Sequence, residues 1–122
     1  APLLAGGNMK HLIVAAMLTC MVTPALGADA NGQFRTYGEG GLSSCGAWTA
    51  ERKKESTKQQ YFYAWVDGYI SAYNNYTPGV FDIGKGTDSE GRDAWIDNYC
   101  AVHPLEAIST AVQDLIIFLK NR

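Results

Sequence analysis

The chain has 122 residues and a formal net charge of −2, with 47% hydrophobic and 18% charged residues. That length suffices for one domain and no more. A mildly acidic chain lacks the clustered Lys and Arg that drive binding to a phosphate backbone, which argues against a nucleic-acid partner.

Residues 1–8 precede the first methionine, Met9, and carry no readable pattern; they are set aside as an extension. Met9-Lys10-His11 makes a short positive start, and Leu12 to Val22 is an uncharged apolar run. Pro24 and the small residues of Ala25-Leu26-Gly27-Ala28 follow. This order over residues 9–27 is the pattern of a secretory signal peptide, cleaved after Gly27 or Ala28. The run is shorter than the roughly 20 residues a membrane span needs, and it lacks the polar face of a core helix. Cleavage after Gly27 leaves 95 residues with a formal net charge of −3. The expected destination is the periplasm or the exterior, with no membrane insertion after cleavage.

Export also organises the three cysteines. Cys20 lies inside the apolar run and leaves with it; the alternative, lipidation at Cys20, meets a poor lipobox because Thr19 stands where a small Gly or Ala belongs. Cys45 and Cys100 remain as an even pair in an oxidising compartment, which predicts a structural disulfide. No Cys-x-x-Cys points instead to a redox pair.

Residues 28–43 read as a polar, Gly-rich N-terminal arm, since Asp29 to Leu42 shows no sustained apolar period. The helical domain spans residues 44–122. Ser43 or Ser44 can cap a first helix of about Cys45 to Glu55, which carries Cys45, Trp48 and Arg52 at helical spacing. Ser56 or Thr57 starts a second, about Lys58 to Asn75, in which Phe62, Trp65, Tyr69, Tyr73 and Tyr76 form an aromatic stripe widened by Val66 and Ile70. Gly68 inside it costs about 1 kcal/mol, which predicts a close neighbouring backbone. Thr77 to Thr87 contains one Pro and three Gly and reads as a loop, with Val80, Phe81 and Ile83 apolar enough to fold back. Asp88 or Ser89 caps a third helix through Asp93, Trp95, Ile96 and Tyr99 to Cys100. Pro104 suits the first position of a last helix running to about Lys120. Leu105, Ile108, Val112, Leu115 and Leu119 make its apolar stripe, with Ala111 and Ile116 beside it. The sum is an all-α domain, a small four-helix bundle closed by one disulfide.

The expected core is Trp48, Phe62, Trp65, Tyr69, Tyr73, Trp95, Leu105, Ile108, Val112 and Leu115. Tyr61, Tyr63 and Tyr76 fall off the centre of the stripe and, with Val80, Phe81 and Ile83, are the candidate binding residues, because Tyr and Trp are enriched at recognition surfaces. One histidine and two paired cysteines after residue 27 leave no metal set and no cofactor motif. His103 beside Pro104 reads as part of a helix start rather than as a catalytic base. Asp67, Asp93 and Asp97 are the one carboxylate grouping that a glycosidase could use. Arg52-Lys53-Lys54 and Lys58, interleaved with Glu51 and Glu55, read as a solvated, internally paired helix face.

Ser44-Cys45-Gly46-Ala47-Trp48, Trp65-Val66-Asp67-Gly68-Tyr69-Ile70-Ser71 and Tyr99-Cys100-Ala101-Val102-His103-Pro104 stand in that order before an amphipathic helix. The order resembles small periplasmic helical proteins of the HdeA-like kind. It is also similar to Tai-type immunity proteins, which neutralise secreted cell-wall amidases. The resemblance spans Ser44 to Leu119 through short motifs. It implies a non-enzymatic binding protein with a protein partner. For the acid-stress chaperones, that is a homodimer that loosens at low pH and receives clients; for the immunity proteins, the partner is one cell-wall hydrolase, of amidase or lysozyme type. In the second case Val80-Phe81-Asp82-Ile83 is the expected inhibitory loop. A small cell-wall glycosidase is the enzymatic alternative.

Overall fold

A computed structural model describes residues 27–122, so the apolar run, Cys20 and the N-terminal extension lie outside the described residues. The chain divides into two units, Ala1–Phe34 and Arg35–Arg122. In the first, the described residues form a turn around Asp29, whose Oδ1 accepts hydrogen bonds from the backbone N–H groups of Asn31 and Gln33.

The second unit is all helical: α1 Glu39–Leu42, α2 Cys45–Lys54, α3 Gln59–Tyr76, α4 Ser89–Val102 and α5 Ile108–Lys120. Cys45 and Cys100 form a disulfide with their Cα atoms 4.7 Å apart, tying the start of α2 to the end of α4. The described residues contain no β-strand, only an isolated antiparallel bridge between Ser44 and Ala107.

The first helix was not expected. Part of the Gly-rich arm forms the single turn α1, which packs on α3 because Gly40 and Gly41 have no side chains to hold it off. A Cβ at Gly40 would stand 2.6 Å from the Cβ of Trp65 and 3.0 Å from the Tyr61 carbonyl, and one at Gly41 would overlap the Trp65 ring. The Trp65 indole N–H donates to the Tyr37 carbonyl at 2.8 Å, and Lys58 pairs with Glu39 at 3.1 Å. Gly68 is the reverse case: nothing lies within 4 Å of a Cβ placed there, so no backbone packs on it and the expectation of close approach is corrected. The two glycines should therefore respond oppositely to alanine. Gly68→Ala should stabilise by about 0.5–1 kcal/mol through helix propensity, whereas Gly41→Ala should destabilise by about 2 kcal/mol through overpacking. Urea denaturation with unchanged slope checks both, and a destabilised Gly68→Ala protein would refute the open-space assignment.

Helix α2 starts at the expected place. Ser44 is its cap, with Oγ accepting from Ala47 N–H at 3.1 Å. The remaining orphan donors of the first turn find partners in another segment: Cys45 N–H donates to the Glu106 carbonyl at 2.7 Å and Gly46 N–H to the Pro104 carbonyl at 2.9 Å. Ile108 N–H donates back to the Ser43 carbonyl at 2.9 Å. This exchange corrects the boundary of the last helix. Pro104 to Ala107 cannot coil into α5 and also turn its carbonyls toward α2, so α5 begins at Ile108. The correction reaches Leu105, expected in the core and 95% exposed.

Helix α3 buries Phe62, Val66 and Ile70, while Trp65, Tyr69 and Tyr73 are half-buried beside them. Apart from Phe62, the aromatic stripe is thus the flank of the buried face, whose centre is Phe62, Val66 and Ile70. On α5, Ile108, Ala111, Val112, Leu115, Ile116 and Leu119 are buried, as one apolar face of a 3.6-residue helix must be. Trp48 and Ile96 are fully buried, and Trp95 is half-buried against Tyr99 and Phe118.

Candidate functional site

Two groups of side chains carry chemistry, one polar and one mostly apolar. The polar group joins α2, α3 and α4. Asp97 on α4 accepts from the Trp48 indole N–H at 2.7 Å and from Arg52 Nε at 2.8 Å through Oδ1, and its Oδ2 pairs with Arg52 Nη2. Arg52 Nη1 also donates to the Tyr63 hydroxyl at 2.5 Å. The guanidinium sits 5.9 Å from the Trp48 ring centroid and 5.7 Å from that of Tyr63. Hydrogen bonding to Asp97, opposed by desolvation, holds the Arg52 guanidinium above its ordinary range. Arg52 is thereby removed from the solvated face expected for the charged run: only Glu51 and Lys54 pair within that run, at 3.9 Å.

One turn before Asp97 on α4, Asp93 is half-buried. Burial pushes its carboxyl up to about 6; Asp67 and Asp97 push the same way, and Arg52 and Arg92 oppose them. No raised acid is legible here from the sequence. In chemical terms Asp93 can hold a proton near neutrality, but Asp97, committed to Trp48 and Arg52, cannot serve it as a free base. Asp67 is more than half exposed and lies 3.7 Å from Arg92 Nη2. Asp97 thus links α4 to α2, and Asp67 links α3 to Arg92 of α4.

The raised Asp93 value sets a pH dependence. Between its ordinary 3.8 and about 6 the native chain keeps a proton that the unfolded chain has lost. Its contribution to stability is thus complete below pH 3.8 and declines as pH rises to about 6. After discounting for partial exposure, Asp93→Asn should stabilise by about 1 kcal/mol at pH 7 and flatten this part of the stability–pH profile. Thermal denaturation of both proteins at pH 4 and pH 7 measures this; equal shifts at the two pH values would count against it.

The second group lies at the α3–α4 loop, Thr77 to Asp88. This loop is held by hydrogen bonds within it and to the segments that flank it. Asn74 Oδ1 accepts from Ile83 N–H at 2.9 Å, Asp82 Oδ1 from Gly84 N–H at 2.9 Å, and the Thr87 hydroxyl donates to the Gly84 carbonyl at 2.6 Å. Arg92 Nη1 donates to Thr87 Oγ1 at 3.0 Å, and Arg122 Nη2 to the Lys85 carbonyl at 2.9 Å. Gly79 and Gly86, both at φ 78°, make the turns, and Gly84 is buried. Ile83 packs against the core, so it and Val80 are partly covered, whereas Phe81 is 96% exposed. Loop residues and the end of α5 line an open groove of about 510 Å³, with Val80, Ile83 and Leu119 as apolar lining and Lys85, Lys120 and Arg122 as its cations.

The six candidate binding residues thus separate. Phe81, Val80 and Ile83 share the loop and its groove. Tyr76, at the end of α3, is 82% exposed, and Tyr61, at the start of the same helix, is 73% exposed. Tyr63 is partly buried, its ring packed edge-on to Trp48 at 5.5 Å and its hydroxyl accepting from Arg52. His103 is exposed and packs on the Tyr99 ring at 4.4 Å. Among the described residues, no three His, Cys, Asp or Glu side chains are grouped to hold a metal ion, and no helix is long and apolar enough to cross a membrane.

The polar link was missed because Arg52 and Asp97 lie 45 residues apart. One signal could have found it. Cys45, Trp48 and Arg52 share a face of α2, Asp93, Asp97 and Cys100 share a face of α4, and the disulfide aligns those faces. No family model, curated protein or solved structure matches the chain.

Proposed function

We propose that this chain is an exported, non-enzymatic binding protein that engages a protein partner through its α3–α4 loop. In this reading residues 9–27 direct export to the periplasm or beyond. The four longer helices then form a disulfide-closed bundle that carries the loop, preceded by a polar arm. The observation that carries the proposal is Phe81, 96% exposed at a loop fastened by hydrogen bonds that involve the side chains of Asn74, Asp82, Thr87, Arg92 and Arg122. A large aromatic side chain on a pre-ordered loop loses little entropy on docking and can act as an anchor residue. Fastened loops of this kind suit one dedicated partner better than many unfolded clients. That favours an inhibitor or immunity protein for a cell-wall hydrolase over a chaperone of the HdeA-like kind. The commitment of Asp97 to Arg52 and Trp48 weighs against a glycosidase.

A photo-crosslinking amino acid at position 81, compared with one at exposed Asn98 on α4, tests the reading in intact cells. One discrete cross-linked protein from position 81, absent from position 98, is expected. A ladder of many proteins would indicate a chaperone. Clearing of a peptidoglycan suspension by the purified protein would overturn the non-enzymatic assignment.

A further inference from the structure

The groove under the loop has a charge that runs against the rest of the molecule. The chain is net negative. The groove nonetheless gathers Lys85, Lys120 and Arg122 around Val80, Ile83 and Leu119, with Asp82 as its acidic member. The C-terminal end of α5 contributes roughly half a negative charge. Three cationic side chains exceed that and Asp82 together, so the groove is net positive. Arg122 is positioned by its bond to the Lys85 carbonyl, and its other guanidinium N–H groups can still donate. The apolar residues are recessed: Leu119 is buried, Val80 and Ile83 are partly covered, and Phe81 alone stands outward at the rim.

We infer that this groove binds an acidic segment of the partner protein, in which carboxylates alternate with aliphatic side chains. The carboxylates meet Lys85, Lys120 and Arg122, the aliphatic side chains enter between Val80, Ile83 and Leu119, and Phe81 closes over the segment. Carboxylate pairing with Arg and Lys at a partly desolvated groove supplies orientation as well as attraction. An anionic membrane would also be drawn to these cations, but it needs apolar side chains projecting together, and here three of the four are recessed. The inference rests on the reading of the loop as the contact surface and specifies what that surface recognises.

The test uses the exported protein with its disulfide intact and a fluorescein-labelled peptide of alternating Glu and Leu. Peptides of alternating Glu and Ser and of alternating Lys and Leu serve as comparisons. The Glu–Leu peptide should bind, weaken about tenfold between low and moderate salt, and shift amide NMR resonances of Val80 to Lys85 and Leu119 to Arg122. The double variant Lys85→Glu/Lys120→Glu, exposed at both positions, should weaken it at least tenfold while retaining the native thermal transition. Equal binding of the Lys–Leu peptide, shifts confined to another face, or sedimentation with phosphatidylglycerol vesicles in place of peptide binding would overturn the inference. A discrete cross-link from position 81 without Glu–Leu binding overturns the acidic occupant alone; loss of both results overturns the loop reading as well.

Discussion

Replacing Cys45 by Ser should lower stability by about 4 kcal/mol, and replacing Cys100 by Ser should do the same. The bridge spans 55 residues of sequence, and opening it returns to the unfolded chain the freedom that loop closure removes. The native state loses little else, because the same junction is held by the backbone exchange of Cys45, Gly46 and Ile108 with Glu106, Pro104 and Ser43. The double variant should match either single variant, since one bond is lost in all three. Urea denaturation at pH 7, with and without reductant, provides the measurement. Unequal single variants, or an oxidised protein insensitive to reductant, would show that the bridge is not the stabilising element.

Trp48→Ala should cost about 4 kcal/mol, the range for truncating a fully buried large aromatic. Three kinds of contact end together. The ring stacks on Phe62 at 6.2 Å, packs edge-on to Tyr63, and donates its indole N–H to Asp97. Trp48→Phe separates packing from hydrogen bonding. It should cost about 1.5 kcal/mol, because Asp97 keeps Arg52 as a partner when the indole donor is gone. Trp48→Phe combined with Asp97→Ala should cost less than the two changes added, since both remove the same bond. Strict additivity would mean that Trp48 and Asp97 act independently and would remove the polar link as a unit.

These two predictions differ in how far the sequence anticipated them. The disulfide follows from counting cysteines once export is assumed, and the burial of Trp48 from its spacing to Cys45 on one helix face. The Asp97 partnership does not follow from any local pattern. Asp93 and Asp97 look like a solvated face because i, i+4 acids usually are one, and only the packing of α4 on α2 turns them inward. Leu105 shows the opposite failure. It fits the 3.6-residue stripe of α5, yet the preceding carbonyls are needed at the N-terminus of α2, and that demand overrides periodicity. Tyr63 was legible as lying off the stripe but not as a partner of Arg52, since off-centre residues on a helix face either water or a neighbouring helix.

The candidate site divides the same way. A loop at Thr77 to Thr87 was evident from its proline and glycines, and its apolar residues marked it as more than a connector. Which of them turns outward was not evident. Ile83 is drawn in by the Asn74 side chain and Phe81 is left at the rim. The three cations of the groove come from two segments separated by all of α4, so their grouping exists only after folding.

By itself, the sequence determined the helical class, most helix boundaries, the Cys45–Cys100 pairing and the apolar face of α5. Each depends on residues close in sequence, on caps and on the 3.6-residue period, or on counting. The tertiary structure alone decided that α1 exists, that α5 starts at Ile108, that Arg52 and Asp97 meet, and that Phe81 stands over a cationic groove. Each of these depends on how separate helices satisfy one another's steric and hydrogen-bonding demands. Gly40 and Gly41 illustrate the division. Read locally they suggest a flexible arm, and only the Trp65 ring across from them gives their missing side chains a purpose.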